Sequence, residues 1–320
     1  MKEFTIIDSF FKQRSYQRKD VLIGIGDDCA VSSVAAGQNL AVTTDTLING
    51  VHFPENTSPQ AIAHKAVAVN LSDLAAMGAE PAWINLSLSV PKVDEQWLDE
   101  FSQGMRELCE YYSVQLIGGD TVKGPLSITI TAMGFIPEQQ ALTRSGAKPG
   151  DLLFVTGTLG DAALGLDVVQ KKVEVPYKFR DALVNRLNFP TPRVLAGTTL
   201  RRLATACIDI SDGMLSDLKH VLNASNCGAV VQIDKIPLSQ ALLESVEPEQ
   251  GIQYALTGGD DYELLFCVPE EQKGNLDRAL LHSNVAITCI GQMTGQPGKL
   301  ELQLNKQPFN FNVRGYEHFS

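Results

Sequence analysis

No run of about 18 apolar residues occurs in the chain, so no segment reads as a membrane span. Positive charge is not in surplus either: 26 Lys and Arg stand against 37 Asp and Glu, a net charge of −11. Proteins that grip nucleic acid meet its phosphates with surplus Lys and Arg, so the balance argues against that class of partner. Nucleotides are not excluded, because metal ions mediate between carboxylates and phosphates. The start, Met1-Lys2-Glu3-Phe4, lacks the apolar core of a secretion signal. The six cysteines (Cys29, Cys109, Cys207, Cys227, Cys267 and Cys289) include no C-x-x-C pair. Scattered in this way they read as reduced, mostly buried thiols, with no zinc site expected and the cytoplasm as the expected compartment.

Familiar catalytic signatures are missing too. There is no G-x-x-x-x-G-K-[ST] phosphate loop, and none of the H-R-D or D-F-G elements of protein kinases. Gly24-Ile25-Gly26 lacks the third glycine of a dinucleotide fingerprint, which argues against a dehydrogenase. Without G-x-S-x-G, acyl-transfer hydrolysis has no nucleophile.

What the chain does have is acidic punctuation of apolar segments. Gly24-Ile25-Gly26-Asp27-Asp28 follows one apolar run, Thr43-Thr44-Asp45 lies in a second, and Gly118-Gly119-Asp120 ends a third. Ser72-Asp73 sits in an apolar helical pattern, and Asp209-Ile210-Ser211-Asp212-Gly213 and Gly258-Gly259-Asp260-Asp261 complete the set. Adjacent carboxylates repel, and a fold that holds them in place commonly supplies a cation. The expectation is that these distant aspartates converge on a shared polyvalent cation site.

The elements follow from periodicity and capping. A helix is expected over 4–13, a strand over 40–47 delivering Asp45 at its C-terminal end, and a loop at Val51-His52-Phe53-Pro54. Ser58-Pro59 starts a helix running from Ala61 to Met77, apolar on all sides and therefore buried, stopped by Gly78. Asp73 inside such a helix is costly unless paired or bound to a metal. A strand over 83–90, a helix capped by Asp94, a strand over 114–117 closing in a GGD turn, and a strand over 126–136 follow. Residues 137–150 are polar and rich in turn formers, marking a boundary between domains 1–137 and 138–320. Within that linker Arg144, beside Ser145-Gly146, is the better placed of two cations to neutralise a phosphate. The second half alternates strands (151–156, 207–209, 229–233, 262–268, near 285–290, 300–304) with helices (162–169, the 180s, 193–204, from Ser211-Asp212-Gly213 to Asn226, near 271–281).

Hard oxygen ligands suit Mg2+, which keeps waters and is shared between Asp and substrate phosphates. Several such ions make sense if the combined substrates are highly anionic, such as ATP plus a second phosphorylated molecule. A phosphate acceptor needs no strong general base, since its second pKa is about 6. Catalysis then consists of alignment and charge neutralisation.

Taken in order, Gly24-Ile25-Gly26-Asp27-Asp28, Thr43-Thr44-Asp45-Thr46-Leu47, the stretch from Asn70 to Gly78, Gly118-Gly119-Asp120-Thr121, Ile208-Asp209-Ile210-Ser211-Asp212-Gly213 and Gly259-Asp260-Asp261-Tyr262-Glu263-Leu264 resemble the bacterial thiamine-monophosphate kinases. These enzymes sit in the superfamily of aminoimidazole ribonucleotide synthetase and selenophosphate synthetase. The resemblance covers nearly the whole chain. It implies a two-domain α/β (α+β) fold, a homodimer whose N-terminal domains pair into a β-barrel, and ATP-dependent phosphorylation of thiamine phosphate to thiamine diphosphate. By the same motifs it implies an Mg2+ shell of Asp28, Thr43, Thr44, Asp45, Asp73, Asp120, Asp209 and Asp212, with Asp45, Asp73, Asp120 and Asp212 central to catalysis. Gly119, Asp120, Arg144 and Ser211 are implied to contact ATP, and His52, Asp260 and Tyr316 the vitamin phosphate. Where this chain has Asp260, family members often carry Glu, one methylene longer. Two rival readings are a sister synthetase acting on another acceptor and a non-catalytic Ca2+- or nucleotide-binding protein.

Overall fold

The structure is a computed structural model that describes residues 3–12 and 15–311. The chain divides into two compact units, Met1–Leu74 with Ala79–Gln139, and Ala75–Gly78 with Gln140–Ser320. Tyr316, implied above to contact the vitamin phosphate, lies outside the described residues.

The first unit opens with α1 (Glu3–Ile6), continued by a wider π-helical turn over Ile7–Lys12 that buries Phe10 and Phe11. A small hairpin pairs β1 (Val21–Ile23) with β2 (Val31–Ser32), bracketing the Gly/Asp stretch, and the sequence reading did not anticipate it. Next come β3 (Gln38–Ile48), α2 (Pro59–Ala76), β4 (Glu80–Val90), α3 (Glu95–Tyr111), β5 (Gln115–Lys123) and β6 (Ser127–Pro137). Four of these strands form a sheet in the order β3-β6-β4-β5, with β4 and β5 parallel and the other neighbours antiparallel. The expected caps are in place: the Ser58 hydroxyl accepts the Ala61 N–H at 3.3 Å, and the Asp94 carboxylate accepts the Trp97 N–H at 3.2 Å. As expected, α2 is buried on all sides, with Ile62, Val67, Leu71 and Leu74 shielded from solvent.

One element departs from expectation in a way that matters for the site. Gly118-Gly119-Asp120 is not a turn but the middle of β5, which skips Ile117 at a register shift and then pairs Gly118, Gly119 and Asp120 in parallel with Asn85, Leu86 and Ser87 of β4. Gly119 has φ +148°, and a Cβ there would lie 1.8 Å from the Leu86 carbonyl oxygen. Only glycine lets the two backbones come this close.

The second unit contains β7 (Leu152–Thr156), α4 (Asp161–Val169), α5 (Tyr177–Asn188), α6 (Val194–Leu200), β8 (Ala206–Ile210) and α7 (Met214–Ser225). It continues with β9 (Gly228–Gln232), α8 (Gln240–Ser245), α9 (Pro248–Thr257), β10 (Glu263–Val268), α10 (Lys273–Ala279), β11 (Ile287–Thr294), β12 (Leu300–Leu304) and β13 (Gln307–Pro308). The described strands form one mixed sheet in the order β13-β12-β9-β11-β7-β10-β8. Alternate residues of its central strands feed two cores. Leu153, Val155, Ile208 and Leu265 pack with α7 on one face, while Phe154, Cys207, Leu264 and Phe266 pack with Leu200 and Leu276 on the other. A sheet covered on both faces explains why these strands read as continuous apolar runs.

Candidate active site

In the first unit the period of two along β3 decides which side chains can meet. Thr43 and Asp45 pair across β6 with Ala132 and Ile130, both buried, so they lie on the face that α2 covers. There the Thr43 hydroxyl donates to the carboxylate of Asp73, which answers the cost of placing an acid in an apolar helix. Thr44 points to the opposite, open face and shares a 2.9 Å hydrogen bond with Thr131. Register runs from Thr46 through Thr129 and Ser87 to Asp120, which puts Asp120 on that same open face, where it is exposed. The side chains expected to form one shell in this unit therefore divide between two faces: Thr43, Asp45 and Asp73 on one, Thr44 and Asp120 on the other. Thr43 and Thr44 are adjacent in a strand and cannot present their hydroxyls to one point.

The remaining first-unit candidates lie in loops. Asp28 is exposed, and its N–H donates to the Asp27 carboxylate at 2.9 Å. His52 is held by both its ring and its main chain: Nδ1 accepts the Ile48 N–H at 3.0 Å, and the carbonyl accepts from Lys65 Nζ at 3.1 Å. Lys65 is a buried cation on α2 that sequence reasoning passed over, since a lysine in an apolar helix gives no sign of which loop it will hold.

In the second unit, two motifs fifty residues apart in sequence become neighbours. Asp209 lies buried in β8 opposite Leu264 of β10. Just beyond the ends of these strands, the Asp260 N–H donates to the Ser211 carbonyl at 2.9 Å and the Tyr262 N–H to the Ile210 carbonyl at 2.8 Å. The Ser211 and Asp212 N–H groups both donate to Asp217 Oδ2, at 3.0 and 3.1 Å, leaving the Asp212 side chain exposed. Asp217, an acid in the first turn of α7, is not among the residues that the sequence motifs single out. Burial pushes its carboxyl up to about 7, against the pull of the two N–H bonds. The Asp212 charge pushes the same way as burial, and the Arg144 charge opposes it. Arg144 itself is exposed, and its carbonyl accepts the Ser225 hydroxyl at 3.0 Å.

Behind the Asp260 turn stands a buried ionic group that sequence reading did not assemble. Glu263 is wholly buried, and its Oε2 accepts from Arg193 Nε at 2.6 Å and from the Thr156 hydroxyl at 2.6 Å. Its Oε1 accepts from Arg193 Nη2 and, at 3.1 Å, from Arg186 Nη2. Both oxygens are doubly satisfied inside the fold, which offsets the cost of burying the group. Asp261, also buried, accepts the Gly160 N–H with both oxygens at 2.9 and 3.0 Å. Burial drives its carboxyl well above the ordinary carboxylate range, with the Gly160 bond and the Arg186 charge acting against that rise.

Among the described residues no three His, Cys, Asp or Glu side chains form a group that could hold a metal ion by themselves. The donor chemistry of the expected shell still suits Mg2+, since every member offers carboxylate or hydroxyl oxygen. Mg2+ is ordinarily held by one or two carboxylates together with substrate phosphates rather than by a complete protein cage.

A four-stranded sheet unit followed by a mixed-sheet unit, each bearing acidic turns, defines a class of protein. Residues 26–136 match the family model "AIR synthase related protein, N-terminal domain", and residues 148–303 the corresponding C-terminal domain. Within that class the curated relatives are specific. The chain is 50% identical to the thiamine-monophosphate kinase of Escherichia coli K12, over 99% of this chain and 98% of that protein. It is 35% identical to that of Bacillus subtilis strain 168 over the full length of both. A solved thiamine-monophosphate kinase from Stenotrophomonas maltophilia K279a superposes with a TM-score of 0.88 at 42% identity, covering 96% of this chain and 98% of that one. A structure described as AaThiL complexed with AMPPCP and TMP superposes with a TM-score of 0.78 at 31% identity, covering 99% and 97% of the two chains. The chain belongs to the thiamine-monophosphate kinase family.

Proposed function

We propose that the protein transfers the terminal phosphoryl group of ATP directly onto the phosphate of thiamine phosphate, giving ADP and thiamine diphosphate. The observation that carries this reading is full-length identity of 50% to a thiamine-monophosphate kinase. The relative complexed with AMPPCP, an ATP analogue, and TMP supports the same pair of substrates. The site chemistry agrees, because an acceptor phosphate is already a nucleophile and asks the protein for alignment and charge neutralisation rather than a base.

In this reading several Mg2+ ions are held by oxygen donors: Asp28, with Asp45 and Asp73 on one face of the first-unit sheet and Asp120 on the other, and Asp209 and Asp212 in the second unit. When bound, the ion neutralises charge on the phosphates of both reactants. Thr43 orients the Asp73 carboxylate through its hydroxyl, and Thr44 serves through its main chain, its side chain being turned away. Gly119, Arg144 and Ser211 contact the nucleotide, and His52 and Asp260 contact the vitamin phosphate. A homodimer formed through the open face of the first-unit sheet belongs to the same reading. It is supported by Leu40, Val42, Ile48 and Val122, large apolar side chains exposed together on that face. A cytoplasmic setting is supported by cysteines that are all free thiols.

The test is turnover of thiamine phosphate with Mg2+ and ATP, followed by chromatography of the thiamine species. Wild type should yield thiamine diphosphate and ADP in equal amounts, and Asp73→Asn should lose most of that turnover while remaining folded by circular dichroism. A wild type that binds ATP without forming thiamine diphosphate would leave the non-catalytic binding reading in its place.

A further inference from the structure

The Asp260 turn is built from a conformation that few side chains adopt willingly. Asp260 and Tyr262 have φ of +68° and +51°, and neither is glycine. Left-handed backbone at two such residues persists only where the surroundings over-determine it. Those surroundings are visible. The residues that alternate with them, Asp261 and Glu263, are buried anchors: the first is tied to the Gly160 N–H, the second to Arg186, Arg193 and Thr156. Gly157, with φ +59°, leaves the space that the Glu263 carboxylate fills, since a Cβ there would lie 2.1 Å from Oε1. On the other side the Asp260 and Tyr262 N–H groups are tied to the end of β8.

The strain has one visible product. It folds Tyr262 back so that its hydroxyl donates to Asp260 Oδ1 at 3.0 Å, with the ring buried beneath. A carboxylate one methylene shorter than Glu has few rotamers, and a hydrogen bond from a fixed phenol selects among them. We propose that Tyr262 is a positioning residue that sets the Asp260 carboxylate for recognition of the phosphorylated acceptor. The anchored pair Asp261 and Glu263 holds the turn in the conformation this requires. The proposal rests on the kinase reading and on Asp260 as an acceptor contact.

The experiment compares wild type, Tyr262→Phe, Asp260→Asn and the double variant. It reads KM for thiamine phosphate and for ATP, the Kd of thiamine phosphate by calorimetry, and the melting temperature. A hydrogen bond to a charged group is commonly worth at least about tenfold in an equilibrium. Tyr262→Phe should therefore raise KM and Kd for thiamine phosphate roughly tenfold, with KM for ATP unchanged. Because both side chains act through one carboxylate, the double variant should be no worse than Asp260→Asn alone. A purely structural hydroxyl would lower the melting temperature without separating the two KM values. An unchanged thiamine phosphate KM in Tyr262→Phe beside a raised one in Asp260→Asn overturns the positioning role while leaving the contact standing, as would multiplying effects in the double variant. No effect of Asp260→Asn removes the contact and the proposal together, and a wild type that neither binds nor turns over thiamine phosphate refutes the kinase reading itself.

Discussion

Asp217 shows how much one buried carboxyl can shape the behaviour of a site. In the folded chain it keeps its proton up to about pH 7, against an ordinary value of 3.8, because burial disfavours the charge. Between those two values the unfolded chain has lost a proton that the folded chain still holds. Stability therefore falls as pH rises through this window, by up to about 1.4 kcal/mol per pH unit, and the loss is complete above pH 7. Asn at this position keeps an oxygen to accept the Ser211 and Asp212 N–H groups and has no proton to lose. Melting temperatures recorded in chelator from pH 4 to 7 should show Asp217→Asn gaining steadily on wild type as pH rises. A constant offset would mean that Asp217 titrates normally and that its burial is relieved by a charge partner.

At the scale of elements, local rules were legible and long-range pairings were not. Ser58-Pro59 and Asp94 announced α2 and α3 through their capping chemistry, and apolar runs announced β3 and β10. The alternation that sends Thr43 to α2 and Thr44 to the open face was also present in the sequence once β3 was recognised as a strand. By contrast, Gly118-Gly119-Asp120 reads as a turn on composition. Only the approach of the Leu86 backbone explains why glycine sits inside a strand. The helices α8 and α9 were not anticipated, being short and lying in a polar stretch. Nothing local links Glu263 to Arg186 and Arg193, which arrive from α5 and the start of α6 some 70 residues earlier. The motifs around Asp209 and Asp260 could be named, but not their contact through Ser211. The open face of the β3-β6-β4-β5 sheet carries the prediction at this scale. Val42 is 58% exposed there, beside Leu40 on the edge strand β3, and a charge at that point would have to be buried in a sheet-to-sheet dimer. Val42→Asp should shift the sedimenting species from dimer to monomer with the fold intact. A wild type that sediments as a monomer would remove the proposed dimer, and a variant that stays dimeric would move its contact off this face.

For the molecule as a whole, the governing fact is charge. A chain of net charge −11 is proposed to bring together two phosphorylated reactants. Divalent cations would offset the repulsion between its acidic motifs and the two reactants, so the acidity that argues against nucleic acid is what the phosphoryl-transfer reading requires. The rival synthetase reading uses the same fold and nucleotide but sends the phosphate elsewhere, so the destination of the phosphoryl group separates the two. The decisive measurement is a single turnover with ATP labelled in its terminal phosphate, Mg2+ and thiamine phosphate, with the label located in the products. Direct transfer predicts the label in the terminal phosphate of thiamine diphosphate, with none on the protein. Label released as inorganic phosphate, or held on a side chain, would contradict it.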